Sequence, residues 1–196
     1  MIRLISSKAA SILCKDDDKD TFELYEYAIY IILSGLFHIL TILVLGICFN
    51  MLIESLVFYS SFISIRKFAG GYHAKTPSRC YLFSVSVSIA VLCLIKAIYT
   101  HYSSNLIIWL LLIELVCAIF IFFVSPLESD NKPLDEKEER IYRIAARWIV
   151  TILFLVSVLL VWFGVKVICV PMAFGVYMCA LVLVMRRIQI LANTIN

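Results

Sequence analysis

The chain has 196 residues, 63% of them hydrophobic, with a mean hydropathy of +0.99. Soluble domains are nearer half apolar, so a water-solvated globule is excluded and lipid must solvate much of the chain. The net charge of +3 comes from basic residues that flank apolar runs and form no continuous stripe, which excludes a nucleic-acid-binding surface.

The fold class expected is an all-α integral membrane protein, one domain over residues 1–196, with about six transmembrane helices. Residues 1–20 read as an interfacial segment. Ile2, Ile5, Ala9, Ile12 and Leu13 follow helical spacing, with Arg3, Ser6, Ser7, Lys8 and Ser11 lying away from them. Such a helix is too short and too charged to span and should lie in the membrane surface. No cleavable signal peptide is expected, because charge runs through the whole terminus. Lys15–Asp20 reads as a charged turn.

The candidate spans are residues 27–49, 51–65, 80–99, 106–124, 148–163 and 165–185. Asn50 permits a tight turn between the first two, and the second is short and carries Glu54. Residues 100–105 form a polar turn, and the span that follows carries Glu114. Asp135-Glu-Lys-Glu138 resembles a capping box, so a surface helix is expected to start there and run into the fifth span. Gly164 joins the last two spans. With six spans both termini share one side, and 15 of the 17 Lys and Arg residues then fall on it, leaving Lys96 and Lys166 opposite. The positive-inside rule makes the richer side cytoplasmic. A four-span arrangement, with residues 51–65 re-entrant together with another weak segment, stays open.

Seven cysteines show no C-x-x-C pair, so neither a zinc site nor a redox motif is indicated, and no metal or organic cofactor is expected. Cys48, Cys93, Cys117, Cys169 and Cys179 lie inside apolar runs and read as small buried hydrophobes. Cys14 belongs to the N-terminal segment. Cys80 alone has cations and a histidine close by.

That cysteine ends the stretch Arg66-Lys-Phe-Ala-Gly-Gly-Tyr-His-Ala-Lys-Thr-Pro-Ser-Arg-Cys80, which fills the gap between two apolar runs. On an unbroken helix His73 and Cys80 would be roughly 10.5 Å apart along the axis and could not meet. Pro77 removes a donor and biases Thr76 away from helical torsions, while Gly70 and Gly71 permit torsions closed to other residues. The loop can therefore fold back and bring the imidazole to the thiol. Neighbouring cations and a helix N-terminus favour the thiolate, which is the nucleophilic form. His73 can hold it as an ion pair and then protonate a departing amine. Backbone N–H groups near the start of the third span could hold the oxyanion.

The pattern Arg66-x4-Gly71-x-His73-x6-Cys80, with Gly70 and Thr76, resembles the accessory gene regulator B family. Pro126-Leu-Glu-Ser-Asp-Asn-Lys-Pro133 looks like that family's second cytoplasmic loop, and span order agrees from about Tyr27 to Met185. The resemblance implies a membrane cysteine endopeptidase of a Gram-positive bacterium. Such an enzyme removes the C-terminal part of a peptide pheromone precursor and takes part in its cyclisation, with no metal or cofactor. It makes Cys80 the nucleophile and His73 its base. It matches Arg66 and Gly71 to positions associated with activity, Arg66 pairing with an acidic group of the precursor and Gly71, like Gly70, shaping the loop. Ser84, one turn after Cys80, could assist or could be a packing serine. The implied partners are a short precursor peptide (AgrD-like) at the cytoplasmic face, the bilayer, and a second copy in a homodimer. The implied location is the cell membrane.

Two other readings compete with the enzyme. A polytopic peptide or ion transporter would draw on Glu54, Glu114, Lys96 and His38, since ionisable groups in membranes are often functional. Lys96 also fits snorkelling to an interface. A scaffold that only assembles partners would leave Cys80 no more reactive than an unfolded cysteine.

Overall fold

The computed structural model describes residues 2–13, 19–71, 77–101, 103–127 and 135–195. These form helices α1 (Ile2–Leu13), α2 (Lys19–Phe49), α3 (Leu52–Ala69), α4 (Pro77–Thr100), α5 (Ser104–Val124), α6 (Glu136–Trp162) and α7 (Lys166–Ile195). No strand occurs among the described residues beyond one isolated bridge. The chain divides into two compact units, Met1–Val44 and Leu45–Asn196.

The first unit holds α1 and most of α2. On α1, Ile5 and Ile12 are exposed while Ser6 and Ala10 are buried. Helix α2 starts at Lys19, well ahead of the span expected from Tyr27. The polar turns before an apolar run have helix-forming residues of their own, such as Glu23, Leu24 and Glu26, and continue the same helix. Lys19 and Asp20, placed by sequence in a turn, belong to it.

In the second unit the connections follow from residue chemistry. Asn50 has φ +55. The Asn50 N–H donates to the Ile47 carbonyl at 3.1 Å and the Met51 N–H to the Gly46 carbonyl at 2.8 Å. That paired closure needs a left-handed residue at its first position, and asparagine tolerates one. Gly164 repeats the device between α6 and α7 with φ +72, the Gly164 N–H on Val161 at 3.0 Å and the Val165 N–H on Leu160 at 2.9 Å. Ser103 caps α5 by accepting from the Leu106 N–H at 3.2 Å. Asp135 occupies the N-cap of α6 in extended conformation, but its side chain makes no cap hydrogen bond, so the expected capping box is incomplete. Glu136, Glu138 and Glu139 still place negative charge in the first turn, where the helix dipole favours it. From there α6 runs unbroken into the apolar span.

Among the described residues, five helices are long and apolar enough to cross a membrane: Thr21–Phe49, Arg79–Thr100, Asn105–Val124, Glu136–Trp162 and Lys166–Ala192. The protein is an all-α integral membrane protein. Helix α3 corresponds to the second expected span, residues 51–65. It carries Glu54, Arg66 and Lys67 and is not among the five. Its 18 residues form one continuous helix, about 27 Å long.

Helix α7 is the centre of this unit. Of its apolar stretch 67% is buried, against 22% or less in each of the others. Small residues let α3 approach it closely: a Cβ on Gly175 would stand 2.7 Å from the Ser61 Cβ and 3.1 Å from the Phe58 carbonyl oxygen. One core joins Ile65 and Ala69 of α3 to Ala118 and Ile121 of α5, Ala146 and Val150 of α6, and Val176, Cys179 and Leu183 of α7. A second joins Phe58 of α3 to Val91, Leu92 and Ile95 of α4 and to Val170 and Phe174 of α7. Helix α4 is thus fixed by its far half, and the half that begins with Cys80 lies outside the first core. Large apolar side chains such as Val116, Phe123 and Trp162 face outward, as lipid solvation allows.

Candidate active site

The end of α3 and the start of α4 carry the residues singled out by sequence. Helix α4 begins at Pro77, three residues before the expected span. Proline suits the first helical position, where its missing N–H is no loss. Cys80 therefore completes the first turn, half-buried and unpaired as a free thiol. His73 and Thr76 lie outside the described residues.

Arg66 sits in the last turn of α3. Its guanidinium stacks on the Phe62 ring at 5.7 Å and is within electrostatic reach of the Cys80 and Cys179 thiols. A Cβ on Gly71 would lie 3.0 Å from the Arg66 Nη1 and 2.7 Å from a Val182 methyl. Gly71 is thus the close approach that lets the chain leaving α3 pass between Arg66 and α7.

Gly70 ends α3 with φ +76 and ψ −148, and its N–H donates to the Arg66 carbonyl at 3.1 Å. It forms the isolated parallel bridge with Leu127, and the Leu127 N–H donates to the Ala69 carbonyl at 3.0 Å. A Cβ at Gly70 would overlap the Leu127 carbonyl oxygen. The segment after α5 is thereby stitched to the segment that leads toward Cys80.

Neighbouring contacts stiffen this end of the bundle. Phe68 meets Tyr142 of α6 edge-on at 5.7 Å, and Lys67 lies over the Phe68 ring. Arg147 of α6 donates from Nε to the Phe122 carbonyl at 3.1 Å and covers the Phe122 ring at 4.7 Å, so it satisfies the last turn of α5. Arg143 pairs with Glu139 one turn earlier.

Ser84 donates its hydroxyl to the Cys80 carbonyl at 3.0 Å, and Ser88 donates to the Ser84 carbonyl at 2.8 Å. The Ser84 proton is committed to the helix backbone rather than to the thiol. Sequence reasoning did not find Val182 or Cys179 as neighbours of the loop. Nor did it find Arg186, which is buried one turn beyond Val182 and donates to the Gln189 Oε1 at 3.1 Å. They are distant in sequence, and the only local signal was an arginine at the end of an apolar run. Among the described residues, no group of three or more His, Cys, Asp or Glu could hold a metal. Of the ionisable groups within the spans, Glu114 is fully buried, Lys96 is exposed, and Glu54 and His38 are intermediate.

The family profile for accessory gene regulator B matches residues 6–191. The AgrB-like protein 2 of Clostridium perfringens is 28% identical over 184 residues, covering 89% of this chain and 85% of its own. Protein FsrB of Enterococcus faecalis is 30% identical over 124 residues, 63% of this chain and 50% of that one. The accessory gene regulator protein B of Staphylococcus saprophyticus is 24% identical over 165 residues, 82% of this chain and 85% of its own. No solved structure matches. A match over nearly the whole length, on an all-helical membrane fold, places this chain in the accessory gene regulator B family, whose members serve quorum-sensing gene regulation.

Proposed function

We propose that this chain is a membrane cysteine endopeptidase that cuts a short precursor peptide at the cytoplasmic face and promotes its cyclisation. With α3 crossing as a sixth span, both termini and the 66–80 segment fall on that side, where the basic residues concentrate. The Cys80 thiolate attacks one peptide carbonyl carbon. The C–N bond breaks, and His73 gives its proton to the departing amine of the C-terminal fragment. An acyl thioester on Cys80 remains. A Cys or Ser within the bound peptide then attacks that thioester, loses its proton to His73, and expels Cys80 as thiolate, closing a thiolactone or lactone. Exchange from a thioester needs no outside energy source, and exclusion of water favours the ring over hydrolysis.

One observation carries this reading: Cys80 is a half-exposed thiol in a helix's first turn, with the Arg66 guanidinium in electrostatic reach and the loop between them anchored at Gly70. Arg66 places a positive charge within electrostatic reach of that sulfur and can hold an acidic group of the peptide. The test is Cys80→Ala in membranes that contain the precursor. Fragment release should cease while the protein still inserts, and wild-type protein should yield a peptide adduct that hydroxylamine cleaves. Release that continues in the variant ends this reading.

A transporter reading draws on the buried Glu114. It expects peptide or ion flux into vesicles that Cys80→Ala leaves unchanged.

A further inference from the structure

Glu114 stands at the middle of α5, fully buried at 0% exposure, and plays no part in the chemistry at Cys80. Ser157 of α6, also at 0% exposure, donates its hydroxyl to the Glu114 Oε1 at 2.8 Å. The other oxygen, Oε2, is buried with no hydrogen-bond partner, and Glu114 makes no ion pair among the described residues. One turn back on the same face of α5, the Leu110 carbonyl accepts from the Tyr177 hydroxyl of α7 at 2.5 Å. Ser157 of α6 therefore partners one carboxyl oxygen, and the Tyr177 hydroxyl of α7 lies within electrostatic reach of Glu114 on the same stretch of α5.

A carboxylate in such a place needs a positive guest, because an unpaired charge in low dielectric is costly. A proton would neutralise it but would leave an O–H on Oε2 aimed at no acceptor. A cation instead takes the free Oε2 lone pairs. The Ser157 hydroxyl oxygen, its proton already committed, keeps lone pairs to offer, and the Tyr177 hydroxyl stands on the backbone one turn away. An all-oxygen set with a single carboxylate suits a small hard ion of charge +1, since a divalent ion would leave net positive charge in the apolar core.

We propose that Glu114 and Ser157 form a binding site for one small monovalent cation, sodium, held between α5, α6 and α7. Both hydroxyl-bearing helices pack on the core that fixes the end of α3, so occupancy tightens the frame that carries Arg66 and Gly70.

The test uses the full chain, purified in detergent, with its melting midpoint followed as sodium chloride replaces choline chloride at constant ionic strength. The midpoint should rise saturably with sodium, as linkage requires of a ligand bound only by the folded form. Glu114→Gln should abolish the dependence, and Ser157→Ala should move half-saturation to roughly tenfold higher sodium. Should Glu114→Gln fail to fold, radiolabelled sodium retained by wild-type protein, competed by lithium and reduced in Ser157→Ala, reads the same site. Equal midpoints in sodium and choline, with no retained label, overturn the proposal. So does a pH-dependent midpoint that is lost in Glu114→Gln but indifferent to sodium, which would mark a proton as the guest.

Discussion

Replacing Gly70 by alanine tests whether the seam between the two loops shapes the reactive site. Gly70 has φ +76 and ψ −148, a region open essentially to glycine alone. Forcing another residue into it costs about 1–3 kcal/mol. The new methyl would also overlap the Leu127 carbonyl oxygen, a backbone atom that cannot rotate aside. Relief means moving Leu127 away, which breaks its N–H bond to the Ala69 carbonyl, worth about 0.5–1.5 kcal/mol. The two effects together come to about 1.5–4.5 kcal/mol, and at 1.4 kcal/mol per decade the pinned loop loses roughly 10- to 1,600-fold in population against the open one. Ala69 belongs to the first core and Leu127 packs against it, so part of the penalty falls on the bundle, and insertion and the melting midpoint are followed beside the rate.

The assay is release of the C-terminal fragment from precursor in isolated membranes, alongside alkylation of Cys80 to show that the thiol is present and accessible. Gly164→Ala is the matched control. Gly164 has φ +72, but a Cβ there meets nothing within 4 Å. It should cost only the left-handed penalty, about 1–2 kcal/mol, and only at the α6–α7 turn. Fragment release at the wild-type rate from Gly70→Ala would refute the argument that the Gly70–Leu127 seam positions the reactive loop.

Arg66→Gln should slow fragment release by roughly 10- to 100-fold and slow alkylation of Cys80, while Arg66→Lys retains an intermediate rate, as single-turnover kinetics and maleimide labelling would read. Ser84→Ala should leave the rate within roughly twofold, because the hydroxyl it removes bonds the Cys80 carbonyl; a loss comparable to Cys80→Ala would instead make Ser84 part of the chemistry. Arg147→Ala removes both the bond to the Phe122 carbonyl and the stacking on its ring, so the protein should lose about 1–3 kcal/mol, seen as a lower melting midpoint in detergent.

Local chemistry was legible in the sequence wherever one short segment decides the outcome. Asn50 and Gly164 mark turns because few residues accept the left-handed region, and both turns lie where those residues stand. Apolar runs of membrane length became helices, and the charged stretch from Glu136 became the start of α6 as expected. Helix ends were less legible, since α2 reaches back to Lys19 and α4 to Pro77 through residues that extend a helix as readily as they end one. The Arg66, Gly70, Gly71 and Cys80 constellation was visible because it lies within one loop. What pins it was not. Leu127 meets Gly70, and Val182 meets Gly71, across long stretches of chain with no periodic mark. The Glu114–Ser157 pair spans 43 positions in the same way.

The short charged helix α3 explains how a membrane protein can hold charged residues at its rim. By composition it is the poorest span, with Glu54 in its first turn and Arg66 and Lys67 in its last. Lipid would tolerate those charges badly, but α3 packs along α7, and the glycine at 175 brings the two backbones close. Its charges thus sit at its two ends, and the stretch between them is buried through Ser55, Phe58, Ser61 and Ile65. The cationic end then emerges next to α7 at the level of Cys179 and Val182, where Gly70 and Gly71 turn the chain toward α4. Helix α4 contributes little to the core at this level and is anchored by its far half. A cation on α3 therefore lies within electrostatic reach of a thiol on a helix whose near half stays outside the first core. On the proposed function, that division would admit a peptide from the membrane surface while one charge stays within electrostatic reach of the sulfur.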